Sequence, residues 1–330
     1  MTRLEKLQTT VTLKKWIFYD PGVGVLAAHH TGQPGSGKSN MSTGLAAQCV
    51  KKNNEYLIMP GDRWCEWKHF LDHNLLKGIN LQVIVPDNCP INYYGLSQGE
   101  NYLIECNYDE INVFDYLDPI NRILVIYDSH IHPQDRTYLW LNVLQQLLNR
   151  DTLVNTCIGL LYHEASVLFP ERSRELKWHD IQEYSQHFVE TRKGLIRHQF
   201  VSQVEYEIES SIRMKCGIQF LRKGRAGKHH HPEIKASTPF LDIDEYNLVI
   251  SSGGFKKYNK IKKFYEKKKI MKMIPTRTTY VTREERDTTI KIDEKSNVLI
   301  QNCYEFTESI RETSRILGIS RERIRKVIKT

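Results

Sequence analysis

Short apolar runs alternate with amphipathic segments along the first 220 residues of the chain. The apolar runs predict buried strands at Val23–His29, Glu55–Met59, Leu81–Val85, Ile123–Tyr127, Cys157–Tyr162 and Gln199–Ser202. Between them, apolar residues at helical spacing predict helices at Ser39–Lys51, Trp64–Leu75, Tyr138–Leu148 and Trp178–Thr191. Strands that alternate with helices are typical of a parallel α/β sheet covered by helices on both faces, and this is the fold class that we predict.

The pattern changes in the last third of the chain. Gly227–Pro232 contains three consecutive histidines and is predicted to be a linker, and Lys256–Met273 predicts a helix rich in Lys and aromatic residues. Residues 278–300 predict a small hairpin, and Thr307–Thr330 predicts two short helices around a turn. We therefore expect three parts: a core at 1–226, a basic extension at 227–300 and a small, mainly helical appendage at 301–330.

Composition narrows the class of protein. Of the 330 residues, 40% are hydrophobic, which is enough for a sizeable core. No apolar run approaches the roughly 18 residues that span a bilayer, and the N-terminus has no apolar centre like that of a signal peptide, so we expect a cytoplasmic protein without a membrane segment. The seven cysteines are scattered, with no Cys-x-x-Cys pair, which favours neither disulfides nor a zinc site.

Positive charge is concentrated in the last 80 residues. Residues 251–330 hold 21 Lys and Arg against 10 Asp and Glu, a net charge of +11. The whole chain carries +8, so the first 250 residues carry 8 − 11 = −3. A basic tail on a nearly neutral core indicates a polyanionic partner such as nucleic acid. A solvated basic helix without a ligand is the alternative.

A glycine-rich loop follows the first predicted strand and precedes the first predicted helix. Its sequence, Gly32-Gln-Pro-Gly-Ser-Gly-Lys-Ser39, has the Walker A spacing. Glycines let consecutive N–H groups point at an anion, and the helix N-terminus adds partial positive charge. We expect Lys38 to reach the β- and γ-phosphates of ATP and the Ser39 hydroxyl to bind Mg²⁺. The predicted ATP-binding residues are Gly32, Gln33, Pro34, Gly35, Ser36, Gly37, Lys38, Ser39 and Asn40.

Hydrolysis needs a carboxylate at the end of a second strand, and two strands offer one. Asp128 follows Ile123–Tyr127 and suits a metal ion, although a strand-end Asp can equally cap the next turn. Glu164 follows Cys157–Tyr162 in the position of a catalytic glutamate, with His163 where an Asp is expected. The sequence leaves open which of the two strands lies closer to the loop.

Two further polar residues favour the Glu164 strand. Arg192 stands at the end of a predicted helix, and Gln203 closes the next predicted strand. A Gln at the tip of a neighbouring strand can sense the γ-phosphate or position water. An Arg can stabilise phosphoryl charge in cis or across a subunit interface.

Taken in order, these motifs resemble the HerA/FtsK superfamily of DNA-pumping ATPases, in a divergent form like those of archaeal viruses and plasmids. The resemblance covers roughly residues 20–226. It rests on the Walker A loop, on Tyr-His-Glu-Ala-x-x-Leu-Phe-Pro170, on the helix that ends in Arg192-Lys-Gly, on Phe-Val-Ser-Gln203 and on Ile208–Phe220. It implies a P-loop NTPase fold and a hexameric ring of identical subunits with double-stranded DNA in its pore.

The resemblance also implies roles for single residues. Lys38 and Ser39 bind ATP with Mg²⁺, Glu164 activates water, Gln203 is the sensor and Arg192 stabilises charge. His163 departs from the family, which normally has an acidic residue there. Asp128 compensates only if its strand lies next to the loop strand; otherwise water alone bridges to the metal, or the protein binds ATP more than it hydrolyses it.

The end of the chain resembles a helix-turn-helix. Gly318 allows a tight turn, and Ser320 can cap the second helix. That helix carries four predicted DNA-binding residues, Arg321, Arg323, Arg325 and Lys326. Such side chains suit phosphates and guanine edges. A basic helical pair that docks on protein is the alternative.

These predictions favour a DNA translocase or packaging ATPase of a virus or mobile element. The alternative from another class is an ATP-switched DNA-binding regulator or partition-type factor without processive movement. An intact Glu164–Gln203 pair favours the motor, whereas His163 favours the switch. A nucleotide kinase is disfavoured by the basic tail and by the lack of a lid-like Arg cluster in the core sequence.

Overall fold

A computed structural model of the chain shows two compact units, Met1–Val281 and Thr282–Thr330. The residues that it describes are 19–20, 24–71, 74–95, 100–153, 155–172, 175–204, 207–221, 224–225, 240–241, 247–251, 254–258, 271–283 and eight single positions between 301 and 328. Within these residues, no helix combines the length and the apolar character needed to cross a membrane.

The first unit alternates strands and helices. In chain order, the strands are β1 (Tyr19–Asp20), β2 (Gly24–Val25), β3 (Ala28–Thr31), β4 (Tyr56–Gly61), β5 (Asn80–Pro86), β6 (Ile91–Tyr94), β7 (Leu103–Cys106), β8 (Asn121–Tyr127), β9 (Ile158–Tyr162), β10 (Ile196–Ser202), β11 (Ile218–Leu221), β12 (Gly224–Arg225), β13 (Phe240–Leu241), β14 (Asn247–Ser251), β15 (Gly254–Tyr258) and β16 (Lys272–Pro275). The α-helices of the described residues are α1 (Lys38–Lys52), α2 (Arg136–Leu148), α3 (Ala165–Leu168), α4 (Glu175–His187) and α5 (Ser210–Arg213). Short 3₁₀ helices occupy Glu66–Phe70, Asn74–Leu76, Tyr108–Glu110, Val113–Tyr116 and Glu190–Arg192.

Eight parallel strands form the centre of a ten-stranded sheet. Their order is β11-β3-β10-β9-β4-β8-β5-β7, and the hairpin β14–β15 extends the sheet antiparallel at the β11 edge. β3, which leads into the glycine-rich loop, therefore lies between β10 and β11. Because the central strands share one direction, their carboxyl ends open at one edge of the sheet, where the loop lies.

Helices cover both faces of this sheet. On β4, Ile58 packs into a cluster with Trp140 of α2 and Tyr184 of α4, whereas Leu57 packs into a second cluster with Ala46 of α1. Successive side chains of a strand point to opposite faces, so β4 is buried on both sides. Burial on both faces explains why the central strands are continuous apolar runs rather than alternating ones. The predicted α/β fold class is confirmed.

Segments beyond residue 226 belong to the first compact unit, which runs to Val281. The predicted helix Lys256–Met273 is wrong at both ends, because Lys256–Tyr258 lie in β15 and Lys272–Met273 lie in β16. β15 joins the sheet through β14, and β16 pairs with β6 and buries Met273 completely. Cross-strand pairing outweighs the local helix preference of the lysines here. The core extends to Val281.

Other differences are local. The predicted helix Trp64–Leu75 is instead two short 3₁₀ helices, and the peripheral strands β6 and β7 were not predicted. The predicted histidine linker, and the predicted hairpin from residue 284 onward, lie outside the described residues.

The second unit is described at a few positions. Residues 301, 304, 310, 313, 324, 325 and 328 are helical. Ile324 is completely buried against Tyr304, Ile310 and Ile328. Arg325 is exposed, while the other predicted DNA-binding residues, Arg321, Arg323 and Lys326, lie outside the described residues. The helix-turn-helix therefore stays a prediction.

Candidate nucleotide-binding site

The glycine-rich loop connects β3 to α1 through left-handed backbone. Gly35 and Gly37 have φ angles of +78° and +83°, which residues with side chains rarely adopt. A Cβ atom at Gly35 would meet nothing within 4 Å, so conformation rather than space requires glycine there. The Ser36 N–H donates to the Gln33 carbonyl at 3.1 Å and closes the turn. Gly37 then begins α1 without a side-chain cap.

The loop retains polar groups that suit a phosphate. The Ser36 Oγ is buried and has no hydrogen-bond partner among the described residues. Leaving a buried hydroxyl unpaired is costly unless a ligand pairs with it. The N-terminus of α1 adds partial positive charge beside the loop. Lys38 and Ser39 in the first turn of α1 are half-buried. These residues fit a nucleotide triphosphate and Mg²⁺, with Ser39 supplying a hard oxygen ligand.

Glu164 and Gln203 lie at the same edge of the sheet as the loop. β10 lies next to β3 and ends immediately before Gln203, and β9 lies next to β10 and ends two residues before Glu164. Two strand spacings put the end of β9 roughly 10 Å from the end of β3. Both side chains are exposed at this edge. This arrangement places a carboxylate and an amide at the edge of the sheet that carries the loop.

The backbone around Gln203 is held from two sides. His29 Nε2 of β3 lies 2.9 Å from Ser202 Oγ, and that hydroxyl donates to the Val204 carbonyl at 2.8 Å. The Glu207 carboxylate accepts hydrogen bonds from the N–H groups of Gln203 and Val204, both at 3.1 Å. The turn after β10 therefore has a defined geometry that fixes where the Gln203 side chain begins.

His163, which replaces the expected acidic residue, lies between two elements. Its Nδ1 is 2.7 Å from Glu66 Oε2, and its Nε2 is 3.5 Å from Thr43 Oγ1 of α1. Burial opposes ionisation of Glu66, but the hydrogen bond and charge of His163, with the charges of His69 and Lys38, outweigh it and lower the pKa of Glu66. Glu66 is thus an ionised carboxylate within the electrostatic reach of the loop lysine.

A pocket with four carboxylates lies along the same edge. Asp62, Glu66, Asp128 and Glu164 line it together with Arg136 and His163. Burial and then the charge of Glu66 raise the pKa of Asp62 to about 6. Burial also raises the pKa of Asp128 to about 6, although Arg136 and the Trp140 indole oppose the rise. The sequence offered a signal for Asp62, which closely follows the predicted strand Glu55–Met59, but none for Glu66.

The strand order argues against Asp128 as a metal ligand beside Ser39. Three strands, β10, β9 and β4, lie between β3 and β8, so the condition that the Asp128 strand adjoins the loop strand is not met. Asp128 is only 4% exposed, and its Oδ2 accepts a hydrogen bond from Trp140 Nε1 at 3.0 Å. The Asp128 side chain therefore contacts α2 through Trp140.

Arg192 lies at the opposite edge of the sheet from the loop. It ends the 3₁₀ helix directly before β10, whereas Gln203 follows the other end of that strand. Seven residues of strand separate the two edges by roughly 20 Å. Arg192 therefore does not stabilise charge on a phosphate bound to its own loop, and only the role across a subunit interface stays a prediction.

Comparisons with known proteins find similarity in structure. No protein-family model matches the sequence, and neither does any curated protein. The DNA-packaging ATPase B204 from Sulfolobus Turreted Icosahedral Virus is 15% identical, with a TM-score of 0.43 over 72% of this chain and 98% of that chain. The genome packaging NTPase B204 from Sulfolobus turreted icosahedral virus 2, in complex with AMP, is 12% identical, with a TM-score of 0.45 over the same shares. The pCW3 conjugation coupling protein TcpA is 12% identical, with a TM-score of 0.39 over 71% of this chain and 59% of that chain. At these identities, the similarity is one of chain fold.

Proposed function

We propose that this chain is an ATP- and Mg²⁺-dependent ATPase that moves double-stranded DNA, as a packaging motor or translocase of a virus or mobile element does. One observation carries the ATPase part: the strand order places Glu164 and Gln203 on the two strands that follow the loop strand on one side. A loop for phosphate, a carboxylate for water and an amide for the γ-phosphate then meet at one edge of the sheet.

In this proposal, each residue has a separate task. The loop backbone and Lys38 hold the β- and γ-phosphates, and Ser39 binds the metal. Mg²⁺, when bound, offsets phosphate charge during transfer. Glu164 orients a water molecule in line with the γ-phosphate and takes its proton. Gln203 contacts the γ-phosphate from the end of β10, so this contact is lost after hydrolysis.

The DNA part of the proposal rests on charge and on the sequence motifs. Residues 251–330 carry a net charge of +11, which favours a polyanion. The predicted helix-turn-helix and the resemblance of the core motifs to DNA-pumping ATPases point to duplex DNA. A ring of identical subunits follows from the same resemblance, and in a ring Arg192 acts on the nucleotide of a neighbouring subunit.

A second candidate is an ATP-switched DNA-binding protein. His163 favours it, because the family's acidic residue at this position is missing and hydrolysis without it is expected to be slow. In that case ATP binding changes the oligomeric state, and DNA does not accelerate turnover.

Steady-state ATP hydrolysis by the wild type and by Lys38→Ala, each with and without double-stranded DNA, separates these functions. The motor predicts turnover that rises several-fold with DNA and disappears in Lys38→Ala. Lys77→Ala, on the exposed turn before β5, is the matched control and is expected to behave like the wild type. ATP binding with background turnover in the presence of DNA would instead support the switch.

A further inference from the structure

Position 163, where an acidic residue is expected, holds a histidine that contacts a carboxylate of the 3₁₀ helix Glu66–Phe70. We propose that Glu66, presented after β4 and held by its contact with His163, supplies the carboxylate that this position lacks, and so orients the Mg²⁺–ATP complex. The inference rests on the proposed nucleotide site. It names a positioning residue that the sequence motifs do not contain.

The chain holds Glu66 at the loop edge of the sheet. β4 adjoins β9, so the residues after β4 lie beside those after β9. The Glu66 N–H donates to Asp62 Oδ1 at 2.8 Å, and Cys65, with a φ of +52°, turns the backbone into the 3₁₀ helix that begins at Glu66. The Glu66 side chain is 40% exposed, while that of His163 is 6% exposed. Glu66 is therefore accessible from solvent to an ion or its water shell, whereas His163 is much less accessible.

One electrostatic interaction and one side-chain contact relate Glu66 and His163 to the phosphate loop and to α1. The charge of Lys38 acts on the Glu66 carboxylate, which places that carboxylate within electrostatic reach of the residue that binds phosphate. His163 Nε2 faces Thr43 Oγ1 at 3.5 Å. Thr43 lies one turn after Ser39 on the same face of α1. The contacts from Glu66 through His163 thus reach the face of α1 that carries Ser39, the proposed metal ligand.

A purely structural role is the competing explanation. In that case the 2.7 Å contact between Glu66 and His163 only anchors the 3₁₀ helix against β9. The two explanations differ in what they predict for the metal. An anchoring contact affects nucleotide binding equally with and without Mg²⁺, whereas a charge that orients the Mg²⁺–ATP complex affects only the binding that needs Mg²⁺.

The test is equilibrium binding of a fluorescent ATP analogue to the full chain, in Mg²⁺ and in EDTA. Glu66→Gln is expected to weaken binding at least fivefold in Mg²⁺ and to leave binding in EDTA unchanged. Glu110→Gln, an exposed carboxylate on the 3₁₀ helix Tyr108–Glu110, is the control and is expected to match the wild type in both conditions. The double variant Glu66→Gln with His163→Asp has an acidic residue at position 163, as the family normally does. It is expected to recover most of the Mg²⁺-dependent binding.

Two results would overturn the inference: binding by Glu66→Gln that equals that of Glu110→Gln in Mg²⁺, or an equal loss in Mg²⁺ and EDTA. If thermal denaturation shows that Glu66→Gln is unfolded, Glu66→Asp replaces it in the same assay. A folded Glu66→Asp whose binding loses its Mg²⁺ dependence, and does not regain it when His163→Asp is added, also overturns the inference. The measurement needs neither DNA nor turnover. A protein that binds Mg²⁺–ATP but lacks DNA-stimulated hydrolysis therefore contradicts the proposed motor and leaves the role of Glu66 standing.

Discussion

His29 on β3 donates from Nε2 to Ser202 Oγ on β10 at 2.9 Å, since that hydroxyl gives its own proton to the Val204 carbonyl. The hydrogen bond joins the strand that leads into the phosphate loop to the residue directly before Gln203. Both side chains are almost completely buried, so the contact is shielded from water. The loop and the sensor strand are consequently held in one register at the edge where phosphate chemistry is proposed.

Breaking this contact is expected to slow turnover more than it weakens ATP binding. Ser202→Ala leaves the His29 N–H without its partner and frees the turn that carries Gln203. We expect kcat to fall about tenfold, KM to change less than threefold, and the free energy of unfolding to drop by about 1–3 kcal/mol. ATPase assays and urea denaturation measure these quantities. An unchanged kcat in a destabilised protein would show that the contact has no role in positioning Gln203.

Replacing the proposed catalytic carboxylate separates binding from hydrolysis. Glu164→Gln keeps the size and polarity of the side chain but removes its ability to accept a proton from water. Turnover is expected to fall by about 10²–10⁴-fold, the usual contribution of a general base, while the Kd for ATP stays within twofold. Single-turnover assays and nucleotide titration check both values. Turnover within threefold of the wild type would exclude Glu164 as the base.

The Asp128 carboxyl makes folding stability depend on pH. Its pKa is raised by burial to about 6, so the folded protein binds its proton more tightly than the unfolded chain does. Stability from this group is therefore greatest below pH 4, falls as the pH rises to about 6, and then stays level. Two pKa units correspond to about 3 kcal/mol. Asp128→Asn is expected to remove a decrease of that order between pH 4 and 7, as measured by denaturant unfolding at each pH. An unaltered pH profile would contradict the assignment.

A substitution on β16 tests whether the core extends past residue 226. Met273 is completely buried, whereas its neighbour Ile274 is 38% exposed. Met273→Ala is expected to lower the free energy of unfolding by about 2–5 kcal/mol, because it leaves a cavity in the core. Ile274→Ala is the matched control, with an expected loss below about 1 kcal/mol. Equal, small losses for both variants would place β16 outside the cooperative core.

Some features followed from the sequence because they depend on neighbouring residues. Left-handed backbone at Gly35 and Gly37 is a local property of glycine, and so the phosphate loop was predictable from its spacing alone. The central strands were also predictable, because burial on both faces leaves a continuous apolar run such as Ile123–Tyr127. These features determined the α/β class and a candidate site for ATP before any contact between distant segments was known.

The tertiary structure decided which distant side chains meet. Strand order is set by long-range pairing and not by local pattern. It brings Glu164 and Gln203 to the loop edge, puts three strands between the loop strand and the strand of Asp128, and leaves Arg192 at the opposite edge. It also brings Glu66 Oε2 to 2.7 Å from Nδ1 of His163, although the two residues are far apart in the sequence. No local spacing encodes these meetings, because each depends on which parallel strands become neighbours when both faces of the sheet are buried.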